Sequence, residues 1–135
     1  SEALMKSLFS PLLGLSLWTT AVAQEGVDDA QRFFPQQLTA QQLLTHCASS
    51  SMTDRGRQRK RYCSGFVSGV EEALRFSVSS SAATVAARIC VPEREPARSM
   101  ADAYIRYAGR RTTDLAKPAA LVVVEALESS YPCPG

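Results

Sequence analysis

The chain is poor in the side chains on which most catalysis rests. It carries one histidine, His46, in 135 residues. A single imidazole cannot build a His-rich metal site, and as a general base it would need a nucleophile and an orienting group close by. No Gly-rich phosphate loop occurs. None of the four cysteines stands in a C-x-x-C pair, which argues against a zinc ribbon or a thioredoxin-type redox motif. Aromatics make up only 7% and the net charge is +2, so neither base stacking nor a strong basic field points to nucleic acid. No apolar run approaches the roughly 20 residues that span a bilayer. No period-2 alternation bounded by turns marks a strand. What remains is ordinary globular composition, 45% apolar and 21% charged, at the length of one domain.

The N-terminus sets the compartment. Met5-Lys6 begins a short positive segment, residues 7–18 are apolar and Leu-rich, and Ala21-Val22-Ala23 precedes Gln24 as a small-x-small cleavage site. Together these describe a secretory signal peptide. Residues 1–23 are therefore read as four residues before the start Met plus the signal, 24–38 as an N-terminal arm, and 39–135 as a helical domain. No cysteine sits at the cleavage site, which argues against a lipid anchor. The exported chain is expected in the periplasm, with no membrane insertion after cleavage.

An oxidising compartment favours disulfides, and four cysteines allow three pairings. Bridging Cys47 to Cys63 would close a helical hairpin across a basic stretch. Bridging Cys90 to Cys133 would pin the C-terminal tail to the middle of the domain. Cys47–Cys133 with Cys63–Cys90 satisfies the sequence as well.

The helical signals run along the whole mature chain. Thr39-Ala40-Gln41-Gln42 matches a capping box, and Ala40, Leu43, Leu44 and Cys47 share one helical face over 40–48. Residues 49–61 are polar and end basic (Arg55, Arg57, Arg59, Lys60, Arg61). The first half reads as a loop, with a helix entered from Arg57. Tyr62, Cys63, Phe66, Val67, Val70, Ala73 and Leu74 then form the strongest apolar stripe. Gly65 and Gly69 on that helix predict close approach of another helix, because glycine there costs roughly 1 kcal/mol relative to Ala. Residues 77–84 are small and polar and precede a short helix through residues 85–89, stopped by Pro92. Ala97, Met100, Ala101, Tyr104 and Ala108 form a further face, with Pro96 in its first turn and Gly109 at its end. Thr112 or Thr113 is expected to cap the last helix, with Leu115, Ala119, Val122, Val123, Ala126 and Leu127 facing the core and Pro118 in its first turn. The fold class is all-α, a compact bundle of four to five short helices stapled by two disulfides.

A search for chemistry finds little. His46 ends a helix, where an imidazolium can face the carbonyl end of the dipole. Gly65-Phe66-Val67-Ser68-Gly69 places its serine one position late for a nucleophile elbow and follows no strand. Glu71 and Glu72 diverge by about 100° on a helix and read as a solvated face. No catalytic residue, metal site or cofactor is expected. The basic run at Arg57, Arg59 and Arg61 reads first as a solvated face and second as a contact for an acidic partner.

Four segments occur in order: Leu43-Leu44-Thr45-His46-Cys47; Tyr62-Cys63-Ser64-Gly65-Phe66-Val67-Ser68-Gly69-Val70; Ile89-Cys90-Val91-Pro92; and Ala126-Leu127-Glu128-Ser129-Ser130-Tyr131-Pro132-Cys133. In these the chain resembles the Rap/Tai immunity proteins of type VI secretion systems, over roughly residues 39–133. It departs at residues 107–112, where a Pro-containing turn is expected and Ala108-Gly109-Arg110-Arg111 stands instead. The resemblance implies a periplasmic homodimer that occludes the active site of a cognate peptidoglycan amidase effector. It implies disulfides at Cys47, Cys63, Cys90 and Cys133, and it assigns no partner contacts. On physical grounds those are expected first at Ser77, Ser79, Ser80, Ser81 and Thr84, whose small side chains can enter a groove, and second at Arg57, Arg59 and Arg61. A small acid-stress periplasmic chaperone is the other reading, and an exported enzyme with an unrecognised site a third.

Overall fold

Thr39 opens the domain as a full capping box: its hydroxyl accepts from the Gln42 N–H at 3.3 Å, and the Gln42 carboxamide oxygen accepts from the Thr39 N–H at 2.9 Å. In the computed structural model, residues 37–77 and 80–135 are described. The signal-type segment, the Phe33-Phe34-Pro35 portion of the arm, and Ser79 lie outside the described residues. Among the described residues five α-helices form: α1 (Ala40–Cys47), α2 (Asp54–Arg75), α3 (Ser80–Ala86), α4 (Ala97–Ala108) and α5 (Ala119–Ser130). No strand forms among the described residues, only the isolated antiparallel bridges Thr39–Pro118 and Ile89–Pro132.

Helices α1, α2, α4 and α5 each touch the other three, whereas α3 packs on α2 alone. The core follows the expected faces of three of these helices, except that Leu44, Ala97 and Leu115 are only partly buried. Ala40, Leu43 and Cys47 of α1, Met100, Ala101, Tyr104 and Ala108 of α4, and Ala119, Val122, Val123, Ala126 and Leu127 of α5 are all buried. Leu38 joins them just ahead of α1. Tyr104 is fully enclosed, and its hydroxyl donates to the Ala40 carbonyl at 2.7 Å. That bond supplies the partner a buried phenol requires and locks α4 to the start of α1. Burial also pushes the Tyr104 phenol well above its ordinary pKa.

Three expectations about helix ends change. α2 begins at Asp54, not Arg57, because Thr53 caps it, accepting from the Gly56 N–H at 3.0 Å, and Asp54 sits at the positive end of the dipole. α3 begins at Ser80 and ends at Ala86, so it starts and stops earlier than the small-residue pattern suggests. α5 begins at Ala119, and neither Thr112 nor Thr113 caps it: Thr113 instead donates its hydroxyl to the Tyr107 carbonyl at 2.8 Å. Pro118 forces an extended entry, and the first N–H groups of α1 and α5 are satisfied crosswise. Ala40 N–H donates to Lys117 O at 2.9 Å and Ala119 N–H to Leu38 O at 2.8 Å. The turn after α4 is closed without proline, by that Thr113 bond and by Arg110 stacked 4.9 Å over the Tyr107 ring.

Two disulfides staple the bundle, Cys47–Cys63 and Cys90–Cys133. The first joins the end of α1 to the middle of α2. The second ties the segment after α3 to the C-terminus, where Cys90 N–H donates to Tyr131 O at 2.8 Å. The nested alternative, Cys47–Cys133 with Cys63–Cys90, is thereby excluded. Tyr131 is held in this corner as well: burial, with a 2.9 Å bond to Glu95, pushes its phenol up to about 12.

Candidate partner-binding surface

Helix α2 is the platform on which the expected contact residues stand. It is built to start sharply. Gly56 is buried, and a Cβ there would lie 1.8 Å from the Ser50 carbonyl oxygen, so only glycine lets residues 50–56 fold back on themselves. Arg57 then bonds to the Ser51 carbonyl at 3.0 Å and pairs with Asp54.

The basic run does not make one patch, because successive helical residues turn by about 100°. Arg57 is spent on the cap of its own helix. Arg59 is half-buried beside His46. Lys60 and Arg61 turn toward α4, where with Arg98, Asp102 and the Cys47–Cys63 bridge they line a cleft of about 330 Å³. Arg98 could not be placed here from sequence, since the α2–α4 contact is purely tertiary. At the other end of α2, Glu71, Glu72, Glu93 and Glu95 line a second cleft of about 400 Å³ with Phe76 and Arg75. The acidic pair is not simply a solvated face: the Glu71 side chain is only 12% exposed and takes two bonds from Arg75, at 2.6 and 2.8 Å. Phe76 was passed over in sequence. It lies about 180° round the helix from buried Val67, which was the available signal, and it is 77% exposed.

The apolar stripe of α2 is also shallower than expected. Only Cys63 and Val67 of it are fully buried, and Ala73 is exposed. Gly65 and Gly69 are not approached by another helix. Both are exposed, and a Cβ at either would meet nothing within 4 Å.

Residues 77–84 are in part helix rather than loop. Ser77 is half-buried and its N–H donates to Leu74 O at 3.3 Å, Ser80 starts α3, and Ser81 and Thr84 are exposed on α3. Beneath α3, a cleft of about 390 Å³ opens between Leu74 and Arg75 of α2 and Ala86, Ile89 and Cys90.

His46 departs furthest from its expected role. It is 7% exposed and lies with its ring 5.0 Å from that of Tyr62. Burial, and then the Arg59 charge, hold its pKa below 6.5, so the neutral ring is favoured and no imidazolium faces the helix end. Among the described residues no three His, Cys, Asp or Glu side chains gather where a metal could be held, and no helix is long and apolar enough to cross a membrane.

The described residues thus form a small, disulfide-stapled, all-α domain with open clefts along α2. Comparison with family models matches residues 39–133 to the Rap1a immunity proteins, and the chain belongs to that family. Nothing matches it among curated proteins or among solved structures.

Proposed function

We propose that this chain is an exported immunity protein of the periplasm that binds a cognate peptidoglycan amidase, delivered by a type VI secretion system, and occludes its active site. The observation that carries this is the family match over residues 39–133, which spans both disulfides and all five helices. Occlusion asks for shape and charge complementarity, not for a reactive group of its own. The chemistry belongs to the partner, and the protein is not an enzyme. Residues 1–23 act as the export signal and 24–38 as an arm ahead of the binding domain, which works as a homodimer.

The contact is assigned first to residues 77–84. Ser81 and Thr84 are exposed on a helix that rests on α2 alone, a projecting element suited to enter a groove. Ser77, Ser79 and Ser80 lead into it. The second contact is the basic run, in which Arg57 and Arg61 are exposed and Arg59 is half-buried. Co-purification of the oxidised full chain with an amidase encoded beside it, and peptidoglycan hydrolysis with and without the chain, test the reading. A stoichiometric, inactive complex is expected. An amidase that neither binds nor loses activity overturns it. Ser81→Trp with Thr84→Trp is expected to weaken binding at least tenfold, and unchanged affinity would move the contact off α3.

A further inference from the structure

We propose that the cleft between α2 and α4 is an anion-binding site, and that its anion is a short segment of the partner protein carrying two carboxylates. This rests on the immunity reading above for the partner and names the chemistry of one contact with it. Three observations converge on the cleft.

The first is charge. Lys60 and Arg61 of α2 and Arg98 of α4 line the cleft against a single carboxylate, Asp102. Lys60 is half-buried and the other three are exposed, so all can be reached. None of the four takes an ion pair among the described residues, although Arg57 and Arg75 of the same α2 pair with Asp54 and Glu71. Arg98 and Asp102 even stand four apart on α4, the spacing at which opposite charges meet on a helix, and do not pair. Three cations against one anion leave two positive charges with no counter-charge in the chain.

The second is shape. Cations on a convex surface are solvated and screened, and pairs formed there are worth little. These cations stand in a concavity of about 330 Å³, where low-dielectric walls focus the field and raise the local concentration of anions. Part of the lining is apolar: Ala101 is buried, Ile105 half-buried, and the Cys47–Cys63 bridge lies beside them. An anion seated against it is drawn partly out of water, and charge-assisted bonds from guanidinium groups are the strong kind. The volume is at the small end for a ligand site and suits a few side chains, not a folded element. Arg61 and Arg98 rise from different helices, whose axes pack about 8–10 Å apart. Two charges so placed suit two separate carboxylates, each taken by a guanidinium fork, better than one compact dianion. Neighbouring Asp or Glu residues of a protein segment supply such a pair, and Asp102 sets its register by repelling a carboxylate from its own position.

The third is rigidity. Both walls belong to the four-helix core, and the Cys47–Cys63 bridge ties α1 to α2 at the cleft itself. Neither helix has to be ordered for the site to exist, so little binding energy is lost on that account. Helix α3, which rests on α2 alone, has no such support.

NMR of the oxidised full chain, titrated with the terminally blocked peptide Gly-Glu-Ala-Glu-Gly and with its Gln counterpart, tests the chemistry. The acidic peptide is expected to move the resonances of Arg61, Ser64, Arg98 and Ile105, and the Gln peptide to leave them in place. Arg61→Ala and Arg98→Ala should each weaken binding at least threefold, whereas Asp102→Asn should strengthen it. A purely structural role would not move the affinity in both directions. Equal binding of the Gln peptide overturns the site, as do equal changes at Arg94, Arg106 and Arg111, which stand outside the cleft. The amidase tests the partner: Arg98→Glu should weaken its complex at least tenfold with the melting temperature unchanged. A complex indifferent to Arg98→Glu overturns the cleft as a contact and leaves the immunity reading standing. An amidase that does not bind the wild-type chain overturns that reading, and the peptide titration then decides the anion chemistry of the cleft by itself.

Discussion

His46 shows how burial reverses the sense of a titratable group. In the unfolded chain its pKa is the ordinary 6.5, and in the folded protein it is lower. Above pH 6.5 the ring is neutral in both states and costs nothing. As pH falls below 6.5 the unfolded state takes up the proton first, so stability declines until the folded pKa is passed and then levels off. Urea unfolding at pH 7.5 and pH 5 should show a larger loss for the wild type than for His46→Gln. Equal losses would place the ring in water. The glycines divide just as sharply. Gly56→Ala drives a methyl group into the Ser50 carbonyl and is expected to cost about 1–3 kcal/mol, the range for overpacking. Gly65→Ala meets open space and is expected to add up to about 1 kcal/mol. Thermal melts of the two variants should move in opposite directions.

The elements were legible wherever an apolar stripe or a cap signalled them. The Thr39–Gln42 box and the faces of α4 and α5 could be read residue by residue. The start of α2 could not, because the run of arginines has no apolar period and the helix there rests on good helix formers, the Thr53 cap and the Asp54 charge. The first turn of α2 therefore depends on its cap: Thr53→Ala should cost about 1 kcal/mol, measurable by urea unfolding, and fray residues 54–57 in hydrogen exchange. Gly65 and Gly69 were misread for a different reason. A pattern of small residues marks an approach but not its source, and within this chain nothing approaches. Arg98 and the acidic cleft near Phe76 were invisible in sequence because they depend on how α4 lies against α2. Residues 77–84 are legible as a polar stretch, but the helical half is hidden by the low apolar content of a seven-residue helix.

At the scale of the whole molecule the two bridges do different work. Cys47–Cys63 closes a short loop, with a separation of 16, inside the four-helix core, and Cys90–Cys133 a longer one, with a separation of 43, at its edge. Chain entropy assigns them about 3 and about 4 kcal/mol respectively. Replacing both cysteines of a pair by serine should lower stability by amounts of that order. The Cys90/Cys133 variant should additionally lose exchange protection in residues 86–91, while Tyr104 and Leu127 stay enclosed. Uniform loss of protection would show that the edge and the core unfold as one.

The pairing also has a consequence for how the molecule is made. Each cysteine is bonded to its immediate neighbour in cysteine order, and the two loops neither nest nor overlap. A chain that emerges N-terminus first presents Cys47 and Cys63 together before Cys90 appears, so an oxidase acting on thiols as they arrive makes the native bonds in turn. On the exported reading proposed above, correct maturation then needs no disulfide isomerase, because each native bond joins consecutive cysteines.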